Sequence, residues 1–103
     1  MSGHMNQPDQ LAMYQKKLAW RAGNLGMKEL DLAVGVFANR YMKNLSLEDC
    51  QKFEEEILCM NSPDLWRYVL EFPDESKLSE FINENHFIYD IRNMLKEKDW
   101  NHP

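Results

Sequence analysis

The chain has 103 residues, 44% of them hydrophobic and 12% aromatic, which describes one small globular domain with a modest core and argues against intrinsic disorder. No run approaches the ~18 apolar residues of a membrane span, so membrane insertion is not expected. The net charge of -5 is uneven: residues 1–45 hold six Lys/Arg against three Asp/Glu, residues 46–80 three against ten, and residues 81–103 three against four. An acidic middle with no basic stripe argues against a nucleic-acid partner, whereas the more basic first part can be steered to an acidic protein surface.

The opening MSGHM looks like the remnant of an expression tag and lacks the apolar stretch of a secretory signal. Residues 6–97 are expected to form a single helical domain, with 98–103 a polar tail. Pro8 and Asp9 read as helix-start signals. Leu11, Tyr14 and Leu18 then make an apolar stripe, with Lys16, Lys17 and Arg21 on the remainder. Gly23-Asn24 reads as a left-handed cap followed by an N-cap, turning the chain sharply into the next helix.

The second helix is expected over residues 24–43. Met27, Leu30, Val34, Phe37 and Tyr41 recur at steps of three and four and form its core stripe. Leu25, Glu29, Leu32 and Val36 form a second, narrower stripe to one side, with a single carboxylate among apolar neighbours. A helix with two such stripes lies centrally in a bundle or shows one of them to a partner.

Asn44-Leu45-Ser46 breaks the pattern. Ser46 with Asp49 resembles a capping box, and Leu45 and Cys50 sit at staple positions. The third helix turns Cys50, Phe53, Ile57 and Met60 inward and presents Glu54, Glu55 and Glu56 as a solvated face. Ser62-Pro63-Asp64 reads as an N-cap, a proline at the first helical position and a first-turn acid. Leu65, Trp66, Val69 and Leu70 belong to a short fourth helix that ends at Phe72-Pro73. Leu78, Phe81 and Ile82 indicate further turns, and Ile88, Ile91 and Leu95 a last helix. The fold class is all-α, a compact bundle of about five helices with Leu30, Val34, Phe37, Phe53, Ile57, Trp66 and Val69 in its core.

The residues offer little catalytic chemistry. His4 lies in the tag-like opening, His102 in the tail, and His86 at a helix junction with no ligand-spaced partner. There is no phosphate-cradling glycine loop. Cys50 and Cys59 fall on opposite faces of one helix, so they neither bridge nor share a metal and read as small apolar side chains. Met13, Met27, Met42, Met60 and Met94 read as fillers of an irregular core. No catalytic, cofactor-binding or metal-binding residue is assigned. What remains is Gly26 to Asp31, GMKELD. Its acids suit the positive end of a helix dipole, and Glu29 between apolar residues suits the anchoring of a partner's Arg or backbone donors.

The run from Lys17 to Leu32, KLAWRAGNLGMKELDL, resembles the succinate dehydrogenase flavinylation and assembly factors. Their pattern has an aromatic after a K-L-L-like start and, six residues on, the Gly of an R-G-x-x-E motif followed by L-D-L. Trp20, Gly26, Glu29, Leu30, Asp31 and Leu32 occupy those positions. Phe37-Ala38, Leu45-Ser46, Phe53-Glu54 and Pro63-Asp64-Leu65-Trp66 extend the likeness, which runs from Leu11 to Leu70. The spacing from Trp20 to Gly26 is more similar to mitochondrial and related α-proteobacterial members. One position departs: Leu25 stands where the motif has Arg, preceded by Gly23 and Asn24 where basic residues are usual.

The resemblance implies a monomeric assembly factor, or chaperone, that binds the flavoprotein subunit of succinate dehydrogenase. It would promote covalent attachment of FAD to a histidine of that subunit, in the mitochondrial matrix or, alternatively, the bacterial cytoplasm. The FAD belongs to the partner, and the factor is not itself an enzyme. Carried over by position, Gly26 and Glu29 meet the partner, with Leu25, Leu32 and Val36 beside them. Arg21, one turn earlier, is the substitute for the missing motif Arg. The alternative is a helical adaptor of the same fold that recognises another protein.

Overall fold

In the computed structural model, residues 7–101 are described, and His102 and the whole tag-like opening, His4 included, fall outside them. Among the described residues the protein is all-α, with no strand. The elements are α1 (Gln7–Ala22), α2 (Lys28–Tyr41), α3 (Leu47–Phe53), α4 (Ser62–Trp66), α5 (Glu75–Leu78) and α6 (Phe87–Leu95). A 3₁₀ turn, Met42–Asn44, follows α2. Two helices change hydrogen bonding part-way: α3 continues as a π-helical segment Glu54–Leu58, and α4 as another, Arg67–Glu71. Each closes with an i→i+5 bond, Cys59 N–H to Glu54 and Phe72 N–H to Arg67, both 2.9 Å.

The core forms where α2, α3 and α6 meet. Phe37, Phe53 and Phe87 pack their rings together, with centroids 5.4 to 6.2 Å apart. Leu18, Leu30, Val34, Ile57, Leu65, Ile88 and Ile91 surround them and are fully buried. Burying side chains of this size stabilises a fold by ~1.5–3 kcal/mol each. Six of the seven predicted core residues are buried; Trp66 is only half-buried and the inward position is taken by Leu65. Of the three residues that marked further turns, Leu78 is buried and Phe81 is 64% exposed.

Several local signals act differently from expectation. α2 begins at Lys28, not Asn24, because the chain first makes a turn through Leu25 and Gly26. Gly26 has φ +98°, the left-handed conformation expected of Gly23, and no other described residue has a positive φ. Asn24 does not cap α2; its Nδ2 donates to the Trp20 carbonyl (2.7 Å) at the end of α1. Ser46 caps α3 as read from sequence, its Oγ accepting from Asp49 N–H at 3.1 Å. At α4, however, the capping oxygen comes from Asn61, which accepts from Asp64 N–H (2.9 Å). His86 caps α6, with Nδ1 accepting from Ile88 N–H at 3.1 Å.

The three glutamates of α3 do not form a solvated face. Only Glu55 is exposed. Glu54 receives Arg21 and the Tyr14 hydroxyl, and Glu56 accepts the Phe87 N–H (2.9 Å) at the start of α6. Cys50 is buried, with Sγ 3.9 Å from Met42 Sδ, whereas Cys59 is exposed. Among the predicted gap-filling methionines Met42 and Met94 are buried, but Met13 is 55% exposed.

α1 and α2 pack closely enough for backbone contact. A Cβ placed on Gly35 would lie 3.2 Å from the Gly23 Cα, so the absence of side chains lets the two segments meet. Beyond α6 the chain returns to α2: Arg40 donates to the Trp100 carbonyl (2.6 Å) and pairs with Glu97 (2.7 Å).

Candidate partner-binding surface

The turn between α1 and α2 is tied down from both sides. Asp31, in the first turn of α2, accepts the N–H groups of Leu25 (2.5 Å) and Gly26 (3.1 Å) through Oδ1. The Ser62 hydroxyl, at the start of α4, donates to the Leu25 carbonyl at 3.1 Å. The Leu25 side chain is half-buried and packs on the core, so residue 25 acts as an anchor for the turn. Asp31 therefore satisfies backbone donors that would otherwise be orphaned ahead of the helix.

These ties leave Glu29 outside. It is exposed in the first turn of α2, and among the described residues it makes no hydrogen bond or ion pair. At ~100° per residue, Glu29, Leu32 and Val36 share one side of α2. Leu32 is 47% exposed and Val36 half-buried against the core. Leu25 does not lie on that helical stripe; it precedes the helix. The structure thus places Gly26, Glu29 and Leu32 on an accessible surface, with Leu25 and Val36 partly beneath it.

Arg21 is committed elsewhere. Its Nη1 lies 2.5 Å from Glu54 Oε2, with both side chains about one-third exposed. Tyr14 donates its hydroxyl to the other Glu54 oxygen. The Tyr14 hydrogen bond, followed by Arg21, holds Glu54 below the usual carboxylate range against the opposing effect of burial. Tyr14 is pushed up to about 12, first by burial and then by its bond to the Glu54 carboxylate.

Trp20, singled out in the sequence only as a motif match, is 69% exposed. The signal was available: on α1 it falls opposite the Leu11–Tyr14–Leu18 stripe, a large aromatic where a solvated residue is usual. It walls an open groove of about 660 Å³ between α1 and α2.

A second polar cluster joins α3 to α6. Glu56 Oε1 lies 3.7 Å from Lys52 Nζ and 3.9 Å from His86 Nδ1. Lys52 also donates to the Asn85 carbonyl and sits over the Phe87 ring, 4.7 Å from its centroid. These groups are accounted for by helix capping and docking of α6. Among the described residues no three His, Cys, Asp or Glu side chains are grouped to hold a metal ion, and no helix is long and apolar enough to cross a membrane.

Fold and surface together define a small all-α protein in which an exposed carboxylate stands beside a braced turn and an apolar groove. A model of the family described as flavinator of succinate dehydrogenase (Sdh5) matches residues 16–95, and the chain belongs to that family of assembly factors. Comparisons with curated proteins and with solved structures returned no match. The family match extends beyond the likeness read from the sequence and takes in α5 and α6.

Proposed function

We propose that this protein binds the flavoprotein subunit of succinate dehydrogenase and promotes covalent attachment of FAD to a histidine of that subunit. Its place of action in this reading is the mitochondrial matrix, with the bacterial cytoplasm as the alternative, and it works as a monomer. The single observation that carries the choice of surface is Glu29. It is an unpaired carboxylate on a rigid helix start, beside an exposed Leu32 and a turn braced by Asp31 and Ser62. Such a group can accept charge-assisted hydrogen bonds from a partner without reorganising its own structure. Arg21 contributes by holding α1 in place rather than by offering a free guanidinium.

The factor does not need to be an enzyme, nor to bind FAD itself. By binding one conformation of the flavoprotein more tightly than others, it raises the population in which the flavin and the histidine are aligned. The reacting groups all belong to the partner and its cofactor.

The test combines purified protein, the apo flavoprotein subunit and FAD, with affinity measured directly and covalent flavin read by in-gel fluorescence. Glu29→Ala should weaken binding about ten- to a hundredfold. Its melting temperature should change little, because only a helix-dipole contribution of ~0.3–1 kcal/mol is lost. Leu25→Arg, which restores the family motif, should strengthen binding to a flavoprotein from a motif-bearing relative. A Glu29→Ala protein that melts lower but binds normally would overturn this assignment. A second reading, a helical adaptor for a different protein, is favoured by Leu25 standing at the motif's Arg position. It predicts that native co-purification yields a prey other than a flavin-fluorescent large subunit.

A further inference from the structure

We infer that the groove between α1 and α2 receives an acidic segment of the flavoprotein that carries a large apolar side chain. The inference rests on the partner reading above and extends the contact beyond Glu29 to the far side of the turn. Ala12, Ala19, Ala38 and Met42 give it an apolar lining, with the exposed Trp20 beside them. Its size, about 660 Å³, lies in the range of sites that bury a compact ligand or a few side chains.

Charge selects the occupant. Lys16 and Lys43 line the groove, no carboxylate does, and neither lysine has an ion pair among the described residues. This is a local positive site on a chain of net charge -5. A long polyanion would be repelled by the remainder of the surface, whereas a short acidic peptide segment meets only the two lysines. Asn24 and Asn39 stand on the same lining. Asn24 uses its Nδ2 on the Trp20 carbonyl, which leaves its Oδ1 to accept a backbone N–H from the incoming segment. The turn residues Leu25 and Gly26 directly follow Asn24 in the chain and lead into the Glu29 surface.

Titration calorimetry with the flavoprotein subunit at low and high salt tests this, alongside sedimentation of the factor alone. The double variant Lys16→Glu/Lys43→Glu should bind about tenfold more weakly at ~0.1 M salt, with the gap narrowing at ~0.5 M. Trp20→Ala should bind about thirtyfold more weakly at both, as an apolar anchor does. Phe81→Ala, which removes another exposed aromatic, should stay within about twofold of the wild type. All four positions are exposed, and unchanged helical circular dichroism checks that each variant folds. Groove variants that bind within about twofold of a binding-competent wild type overturn this inference and leave the Glu29 reading intact. A wild type that does not bind the flavoprotein overturns both. Self-association abolished by the lysine reversals would identify a second copy as the occupant and overturn it as well.

Discussion

Arg21 and Glu54 are 33 residues apart in sequence, yet Arg21 Nη1 lies 2.5 Å from Glu54 Oε2. The pair joins the last turn of α1 to the residue at which α3 passes into π-helical hydrogen bonding. Tyr14, two turns earlier on α1, closes on the other carboxylate oxygen. Three side chains thus fix the angle at which α1 lies across the bundle, and with it the position of the turn that carries Gly26.

Disrupting that clasp should loosen α1 more than it harms the core. Glu54→Gln is expected to cost ~1–2 kcal/mol, a charged hydrogen bond discounted for partial exposure, which for a domain of this size lowers the melting temperature by roughly 4–15 °C. The pH dependence has two arms. Glu54 is lowered from its ordinary 4.5, so its contribution is complete above that value and is lost as pH falls through the folded one. Tyr14 is raised from 10.0 to about 12, so its contribution is complete below 10.0 and disappears as pH rises toward 12. Melting curves of wild type and Glu54→Gln across pH should converge at both extremes.

His86 makes a different pH prediction. Burial, aided by Lys52 and opposed by Glu56, lowers it from the ordinary 6.5, and its Nδ1 must stay unprotonated to accept the Ile88 N–H. The unfolded chain therefore binds this proton more readily. Stability is complete above 6.5 and declines as pH falls through that value toward the folded one. Asp90, raised from 3.8 first by burial, works in the opposite sense in a lower window, since its protonation relieves a cost. His86→Asn keeps an N-capping oxygen. The drop in melting temperature between about pH 7.5 and 5.5 should be present in wild type and absent in this variant.

Gly35 and Gly26 should fail for different reasons. Gly35→Ala puts a Cβ 3.2 Å from the Gly23 Cα, backbone that moves only if the helices separate, and is expected to destabilise by ~1–3 kcal/mol. Gly26→Ala meets nothing within 4 Å, but φ +98° is strained for any L side chain, at ~1–2 kcal/mol. Thermal unfolding measures both. No substitution at Gly23 can relieve the Gly35→Ala clash, since that residue already lacks a side chain; Gly26→Asn, by contrast, should lose less than Gly26→Ala because Asn tolerates left-handed backbone better than Ala.

Local pattern was enough for the all-α class, the core positions Leu30, Val34 and Phe37 of α2, the Ser46 cap, the end of the fourth helix before Pro73 and the family likeness around Gly26 and Glu29, whereas Tyr41, expected on the same core stripe, is 37% exposed. Those features are local: a 3.6-residue period, a capping oxygen three residues from its N–H donor and a proline without an N–H act within a turn or two of themselves. Tertiary structure decided which polar groups remain free. Glu54 and Glu56 read as solvated because most of the groups that draw them in are distant in sequence: Tyr14, Arg21 and Phe87 arrive from α1 and α6. Ser62 reads as a cap, but Asn61 takes that role and leaves its hydroxyl to brace Leu25, 37 residues away. The same logic sets Glu29 apart from Glu54: both are acids beside apolar residues, and only packing removed one of them from the surface and left the other exposed.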